Sequence, residues 1–232
     1  MTMESLETVR ERLVEAALPH VAFDGWGEAT WRAALADSGI DPVLAGVACP
    51  RHGVDLARGF HLLCDRRMAE ALAARDLGSL RFSDRVALAV RLRLEAAGER
   101  EAVRREMTLF SLPRHAAEGT GLVWGTADAI WRALDDRSED LNWYSKRASL
   151  AGVFGATTLY WLGDESPGFE ATWAFLDRRI AGVMRIEKVK TGLRKTPVLR
   201  RLMALPDRLA GCVNAPTPRG DRPGHHAEGP AA

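Results

Sequence analysis

Apolar side chains recur every three to four positions along most of the chain, which is the spacing of one face of an α-helix. The first such stripe runs through Leu6, Val9 and Leu13, and Pro19 is expected to close that helix. No stretch alternates apolar and polar residues over the length of a strand. The pattern therefore predicts an all-α protein.

Capping and helix-breaking residues divide this pattern into further helices. Asp41 and Pro42 form the N-cap and first position of one helix, and Ser166 and Pro167 form the same pair at another. The predicted helices cover residues 28–38, 42–48, 54–76, 85–95, 100–111, 120–136 and 140–161, and one more begins at 166. Residues 214–232 are rich in Gly, Pro and Ala and are expected to be disordered.

The first three helices, with a turn at Ser38-Gly39, resemble the helix-turn-helix unit of TetR-type regulators. A helix that reads DNA needs side chains that reach base edges and cations that contact phosphates. The third helix, residues 42–48, has no cation, and only Arg51 and His52 follow it. This composition favours a three-helix packing unit over a DNA reader, and no nucleic-acid partner is expected.

The predicted helices at 120–136 and 140–161 are apolar on more than one face. Small residues, including Gly121, Gly125, Gly152 and Gly155, lie between the large apolar ones. Large residues that face small ones can leave a ligand cavity between helices. The same composition also describes a closely packed core, and the pattern alone favours the core.

Two longer motifs carry a family resemblance. Residues 140–151 follow the pattern D-x-N-W-Y-[ST]-[KR]-R-A-x-L-A, and residues 164–176 follow D-x-S-P-x-F-x-x-T-W-x-F-L. Weaker similarities lie at Leu92-Arg93-Leu94, at Leu112-Pro113-x-His115 and at Gly25-Trp26. Together these motifs resemble the Coq-nine family, the TetR-like accessory proteins of ubiquinone biosynthesis.

The resemblance implies a TetR-like helical bundle that binds lipid and has lost its DNA function. Its ligand would be an isoprenoid or quinone-like lipid or a phospholipid, and its partner a di-iron demethoxyubiquinone hydroxylase or an equivalent enzyme of the pathway. The expected lipid-binding residues are Leu112, Trp124, Ile130, Trp131, Leu150, Phe154, Leu159 and Trp161. The expected partner-binding residues are Asp140, Asn142, Trp143, Tyr144 and Arg147.

The charge of the chain is concentrated in one segment. Residues 178–208, the basic segment, contain ten Lys and Arg against two acids, so that they carry +8 and the rest of the chain −7. Apolar residues recur at helical spacing between these cations, a pattern typical of a helix in a membrane interface. The alternative is a basic helix packed on its own acidic domain. The expected membrane-binding residues are Lys188, Lys190, Leu193, Arg194, Lys195, Val198, Arg200, Arg201, Leu202 and Leu205.

The residues that carry catalysis in known enzymes form no recognisable constellation in this sequence. The six His include no pair with metal-ligand spacing, and no Gly-rich phosphate loop or Gly-x-Ser-x-Gly motif is present. We therefore expect no catalytic residue, no metal and no cofactor. Three widely spaced cysteines indicate a reducing compartment. No apolar stretch reaches the length that spans a bilayer.

These observations predict a non-enzymatic lipid-presenting protein, cytoplasmic, bound peripherally to the inner membrane, and homodimeric by analogy with TetR-like folds. The expected units are a helix-turn-helix-like subdomain at 1–53, a helical lipid-binding domain at 54–185, an amphipathic membrane-binding helix at 186–213 and a tail at 214–232. The alternative is a TetR-like transcriptional regulator that senses an apolar ligand.

Overall fold

The computed structural model describes residues 5–136 and 141–194, with only the backbone described for 141–142 and 186–194. These residues form helices and no strand, which confirms the predicted all-α class. The α-helices are α1 (Leu6–Asp24), α2 (Glu28–Ser38), α3 (Pro42–Ala48), α4 (Gly53–Ala73), α5 (Phe82–Ala97), α6 (Arg100–Ser111), α7 (Ala116–Ala133), α8 (Leu141–Leu162) and α9 (Glu170–Arg194), and a 3-10 turn covers Pro167–Phe169.

Helices α2, α3 and α6 have the predicted bounds, whereas α7 covers Ala116–Ala133 instead of the predicted 120–136. The Asp41 carboxylate accepts hydrogen bonds from the backbone N–H groups of Val43 and Leu44, at 2.9 and 3.0 Å, and so begins α3. Helix α5 starts at Phe82, three residues earlier than predicted, with Arg81 at its N-cap position.

The prediction that Pro19 closes the first helix is wrong, since α1 continues to Asp24 with Pro19 inside it. Proline has no N–H to donate to the carbonyl of Glu15, one turn earlier. Both residues are exposed, so that this carbonyl remains accessible to water. A proline on the solvent side of a helix therefore need not end it.

The turn before α9 is built by Asp164 and Ser166. The Asp164 carboxylate accepts from the hydroxyl of Thr172 at 2.6 Å, and from the backbone N–H groups of Thr172 and Ser166. The hydrogen bonds from Thr172 and Ser166 hold the pKa of Asp164 well below its ordinary value. The Asp-x-Ser-Pro part of the second motif is thus a capping structure, as its residue types indicate.

The three N-terminal helices share a core with the rest of the described chain. Helix α1 packs on α2, α3, α4 and α6. The Trp26 indole donates to the carbonyl of Ala102 in α6 at 3.0 Å. A Cβ at Gly53 would lie 2.6 Å from the Trp26 carbonyl, so glycine is needed where α4 begins. The helix-turn-helix-like unit is therefore packed firmly against the bundle.

Helices α4 to α9 form the larger bundle that positions the site. Helix α4 lies near its centre and packs on α5 and α7, while α8 packs on α7 and α9. The expected unit boundary between residues 185 and 186 lies inside the continuous helix α9.

Candidate functional site

A cavity of about 480 Å³, here called the large cavity, lies between helices α4, α5, α6, α7 and α8. Its volume is within the range of about 300–1,000 Å³ typical of small-molecule sites. It reaches the surface at the exposed residues Ser111, Ala116 and Thr120. Apolar side chains form most of its wall, among them Leu94, Val103, Phe110, Leu122, Trp124 and Phe154.

Two glycines on its wall shape the large cavity. A Cβ at Gly119 would lie 2.8 Å from Phe110 Cβ, so this glycine allows α6 and α7 to approach closely. A Cβ at Gly155 would meet no atom within 4 Å. Gly155 therefore leaves open space on the α8 side of the wall.

A cluster of polar side chains, here called the polar cluster, adjoins the large cavity. It consists of His61, Asp65, Arg93, Glu106 and Thr126, each at least nine-tenths buried. His61 Nδ1 donates to Glu106 Oε1 at 2.6 Å, and His61 Nε2 lies 2.8 Å from the Thr126 hydroxyl. Arg93 donates to Asp65 Oδ1 at 2.5 Å and to the His61 carbonyl at 3.2 Å.

Burial lowers the pKa of Arg93, but the nearby Asp65, Cys64 and Glu106 and the hydrogen bond to Asp65 together outweigh burial and raise that pKa. Burial raises the pKa of the adjacent Cys64 thiol to about 11. Cys64 therefore remains a thiol at neutral pH and acts as an apolar core residue rather than a nucleophile.

A second cavity of about 180 Å³, the small cavity, lies between α5, α7, α8 and α9. Phe82 and Trp131 stack at its wall with ring centroids 5.6 Å apart. The Lys146 ammonium lies 5.3 Å from the Trp131 ring centroid and 2.6 Å from Asp136. The two cavities lie against different parts of α8, with Ala151, Phe154 and Thr158 at the large one and Leu150 and Val153 at the small one.

Aromatic side chains connect the large cavity to the start of α8. Trp124, on the cavity wall, lies with its ring centroid 6.1 Å from Trp143 and 6.4 Å from Tyr144. Trp143 and Tyr144 contact each other edge to face at 4.7 Å and are both partly exposed. A ligand against Trp124 would thus be one side chain away from these two residues.

Residues 116–187, which include most of α7, α8 and α9, match the family model of COQ9. We refer to these matched residues as the COQ9 domain. This finding confirms the resemblance predicted from the two motifs, both of which lie within the matched residues. The COQ9 domain supplies Trp124, Trp143 and the α8 wall of the large cavity, whereas α4, α5 and α6 lie outside the matched range.

Sequence relatives extend the similarity over most of the chain. The chain is 31% identical over 187 residues to ubiquinone biosynthesis protein COQ9, mitochondrial, from Drosophila melanogaster, covering 78% of this chain and 57% of the relative. It is 32% identical over 195 residues to the protein of that name from Rattus norvegicus, covering 79% and 61%. The human protein is 30% identical, covering 79% and 60%. The chain thus spans about three fifths of the length of these relatives.

A solved structure confirms the TetR-like fold. The crystal structure of a TetR transcriptional regulator from Nitrosomonas europaea matches with a TM-score of 0.62 and 18% sequence identity, covering 76% of this chain and 98% of that one. Among the described residues, no helix has the length and hydrophobicity needed to cross a bilayer, and no group of three or more His, Cys, Asp and Glu could hold a metal ion.

The expected lipid-binding residues divide into three groups in the structure. Trp124 and Phe154 line the large cavity, and Trp131 and Leu150 line the small one. Ile130 and Trp161 are buried without lining either cavity. Leu112 and Leu159 are 39% and 62% exposed, so these two point to solvent in the described chain.

The expected partner-binding residues also differ in their surroundings. Trp143 and Tyr144 are accessible at the start of α8, while Arg147 is only 2% exposed. Arg147 donates to Asp128 Oδ1 at 2.6 Å, and its guanidinium lies 3.9 Å from the Trp143 ring centroid. Arg147 therefore holds Trp143 in place from inside the fold, and an effect on a partner would pass through Trp143.

The remaining predicted residues lie outside the described side chains. Asp140 is outside the described residues, and Asn142 is described by its backbone alone. Lys188, Lys190, Leu193 and Arg194 fall in the part of α9 described by backbone alone. The rest of the expected membrane-binding set falls beyond the described chain: Lys195, Val198, Arg200, Arg201, Leu202 and Leu205.

Sequence reasoning did not assign a role to the polar cluster. His61, Arg93 and Glu106 are single titratable residues on three helices, and they come together only through packing. The pair His61 and Asp65 has the i, i+4 spacing of one helix face, and Arg93 belongs to the weak family similarity at 92–94. These two local signals were present, although neither indicates a cavity.

Helix α3, which corresponds to the DNA-reading position, presents an apolar surface. Val43 and Val47 are 76% and 59% exposed. The two basic residues that follow α3 are engaged within the protein. Arg51 bonds to Glu118 and Asp55, which raise its pKa, and His52 stacks on Trp31 and bonds to Glu28. Few cations remain here to contact phosphates.

We therefore expect no sequence-specific DNA binding by this chain. Specific DNA-binding proteins reach dissociation constants of about 10⁻⁸–10⁻¹¹ M at physiological salt. A mobility-shift assay against a pool of random duplexes should give no band that survives competition by unrelated DNA. Selection of one sequence at nanomolar affinity would contradict this expectation and favour the regulator alternative.

Proposed function

We propose that this COQ9-domain protein is an accessory protein of ubiquinone biosynthesis that holds an isoprenoid lipid intermediate in the large cavity. It presents the lipid to a membrane-associated hydroxylase of the pathway. The observation that carries the proposal is the apolar cavity of about 480 Å³ whose wall includes residues of the COQ9 domain. The pathway follows from the relatives, which are named as ubiquinone biosynthesis proteins.

The apolar lining of the cavity supports a ligand with a large apolar part. A stretch of wall from Val103 to Trp124 consists mainly of aliphatic and aromatic side chains, and burial of apolar surface contributes roughly 25 cal/mol per Å². The opening at Ser111, Ala116 and Thr120 gives such a ligand a route in. Isoprenoid chains offer the extended apolar surface that this wall would bury.

The aromatic contact between Trp124 and Trp143 supports presentation to a partner. Trp124 contacts the ligand space, while Trp143 and Tyr144 are accessible at the start of α8. Aromatic pairs of this kind are enriched among residues that contribute most to protein–protein binding. A hydroxylase bound at Trp143 and Tyr144 would lie beside the lipid it receives.

We expect Trp143→Ala to weaken binding of the demethoxyubiquinone hydroxylase by about 2 kcal/mol or more, the usual effect of truncating an interface hot spot. Tyr160→Ala is the control, because Tyr160 is an exposed aromatic residue of the same helix at its other end. Biolayer interferometry with immobilised full-length chain measures both variants. Equal affinities for Trp143→Ala and Tyr160→Ala would place the partner surface elsewhere.

We propose that the basic segment, residues 178–208, holds the protein on anionic membrane surfaces. Each Lys or Arg near such a surface contributes about 1 kcal/mol, and the attraction weakens as salt screens it. Replacing Arg194, Lys195, Arg200 and Arg201 with Glu in the full-length chain should abolish flotation with vesicles that contain anionic lipid. The conservative changes Arg194→Lys, Arg200→Lys and Arg201→Lys keep the charge and should float normally. Flotation of the charge-reversed chain would support packing of the basic segment on its own acidic domain.

The predicted homodimer and the predicted position at the inner membrane stay part of this proposal. The relatives are named as mitochondrial proteins. Sedimentation velocity of the chain alone measures its oligomeric state. Co-sedimentation with vesicles of inner-membrane lipid composition measures its membrane binding.

A further inference from the structure

Two residues of the polar cluster line the large cavity, and each has one polar side-chain atom without a hydrogen bond in the described part of the chain. Arg93 uses Nε and Nη2 in its bonds to Asp65 and to the His61 carbonyl, which leaves Nη1 as a free donor. Glu106 uses Oε1 in its bond to His61, which leaves Oε2 as a free acceptor. Both residues line the large cavity, and they are 3% and 6% exposed.

Hydrogen bonds to charged groups are stronger than those between neutral groups, so a ligand that bonds to both atoms gains affinity. The contacts of the other atoms fix Arg93 and Glu106 in place, since each is held by residues of a different helix. Arg93 also lies against the face of Phe154, with 5.5 Å between the guanidinium carbon and the ring centroid. The polar cluster therefore presents one rigid donor and one rigid acceptor to an otherwise apolar space.

The charge of the cluster limits the ligand. The cluster contains two acids, Asp65 and Glu106, together with Arg93 and His61. Its basic residues do not outnumber its acids, and His61, Arg93 and Glu106 are the only ionisable residues among the described residues that line the cavity. Sites for phosphate or carboxylate head groups need an excess of cations. The described lining of this cavity has no such excess, because Arg93 is accompanied by Glu106 and adjoined by Asp65.

We propose that the large cavity selects lipids whose head group is an uncharged hydroxyl on an apolar body, an alcohol or a phenol, and discriminates against phosphate-headed lipids. The hydroxyl donates to Glu106 Oε2 and accepts from Arg93 Nη1, with His61, Asp65 and Thr126 as positioning residues. The inference rests on the proposed lipid-binding function and adds the head-group chemistry and its orientation. The head group lies at the buried end, and the apolar chain extends toward the opening near Ser111.

A matched series of probes tests this selectivity on the full-length chain by isothermal titration calorimetry. The series consists of a long-chain para-alkylphenol, its methyl ether and its phosphate monoester. The phenol should bind about ten- to hundredfold more tightly than the ether, which cannot donate to Glu106. The phosphate ester should bind most weakly. Equal affinities for phenol and ether, or tightest binding of the phosphate, would overturn the inference while leaving apolar binding in place.

The variant Glu106→Gln assigns the selectivity to the polar cluster. Its amide can still accept from His61 and then presents an N–H group to the cavity, so the advantage of phenol over ether should disappear while ether affinity is kept. Thr158→Val is the control, because it removes a hydroxyl from the same wall that already bonds to the Phe154 carbonyl at 2.9 Å. A Glu106→Gln chain that keeps the full preference would overturn the assignment.

The outcomes separate this inference from the proposed function. Failure of all three probes to bind, the ether included, would contradict lipid binding in the large cavity itself. Binding of all three without preference would contradict only the head-group inference. Circular dichroism establishes whether Glu106→Gln is folded, and if it is not, the probe series on the unaltered chain decides.

Discussion

Replacing Arg147 with Ala is expected to lower the free energy of unfolding by about 3–5 kcal/mol, the usual cost of removing one partner from a buried ion pair. Arg147 is 2% exposed and donates to Asp128 at 2.6 Å, so the substitution leaves a buried carboxylate with less compensation. Urea unfolding followed by circular dichroism measures the effect. It is large because the side chains of both Arg147 and Asp128 are buried.

The same carboxylate supplies a matched control. Arg132 also pairs with Asp128 from one helical turn away, but its side chain is 76% exposed. Exposed ion pairs contribute about 0–1 kcal/mol, so Arg132→Ala should change stability little. Equal losses for Arg147→Ala and Arg132→Ala would contradict the view that Arg147 is a buried structural residue. In that case, weaker partner binding by Arg147→Ala would indicate that Arg147 itself contacts the partner.

Filling the large cavity from its wall is expected to abolish most lipid binding without loss of stability. A side chain introduced at position 155 has room to extend, since an added Cβ would meet no atom within 4 Å. Gly155→Leu should therefore occupy part of the ligand volume. Forcing extra atoms into an occupied site costs about 1–3 kcal/mol, which corresponds to a loss of affinity of about five- to 150-fold. Titration with the methyl ether probe measures this loss.

Gly152→Leu is the control for this substitution. Gly152 lies one turn earlier on α8, is exposed, and also has no atom within 4 Å of an added Cβ. Both changes remove a glycine from a helix interior, which favours the helix by roughly 0.5–1 kcal/mol. The two variants should have similar melting temperatures and differ only in ligand affinity. Equal affinities would show that the ligand does not occupy the α8 side of the large cavity.

The helices could be predicted from the sequence because their signals are local. Asp41 and Pro42 identify the start of α3 through cap chemistry within four residues, and α2 and α6 were predicted with their observed bounds. Pro19 misled the prediction because its effect depends on which side of the helix meets water. That side is determined by packing with α3 and α4, which a local pattern does not contain.

The cavity residues could be predicted only in part, since periodicity shows which residues are apolar and not where helices leave a gap. Trp124 and Leu159 are both large apolar residues of predicted helices. In the structure Trp124 lines the large cavity, whereas Leu159 is 62% exposed. The polar cluster depends on contacts between residues 28 to 65 positions apart, such as His61 with Glu106 and Arg93 with Asp65. The spacing of residues within one helix does not indicate contacts of this kind.

The family motifs carried information that the spacing lacked. The residues at 140–151 identified the start of α8 as a surface of interest, and Trp143 and Tyr144 are accessible there. The motif did not distinguish them from Arg147, which lies inside the fold. A family motif contains both accessible residues and buried residues that hold the helix in position. Only the burial of each side chain in the structure distinguishes the two kinds.

Native mass spectrometry of the purified full-length chain, followed by lipid extraction, tests the central claim most directly. We expect a bound isoprenoid lipid with a neutral hydroxyl head at close to one molecule per chain, and its loss from Gly155→Leu but not from Gly152→Leu. Repeated preparations without stoichiometric lipid, or equal lipid in the two glycine variants, would contradict a lipid site in the large cavity.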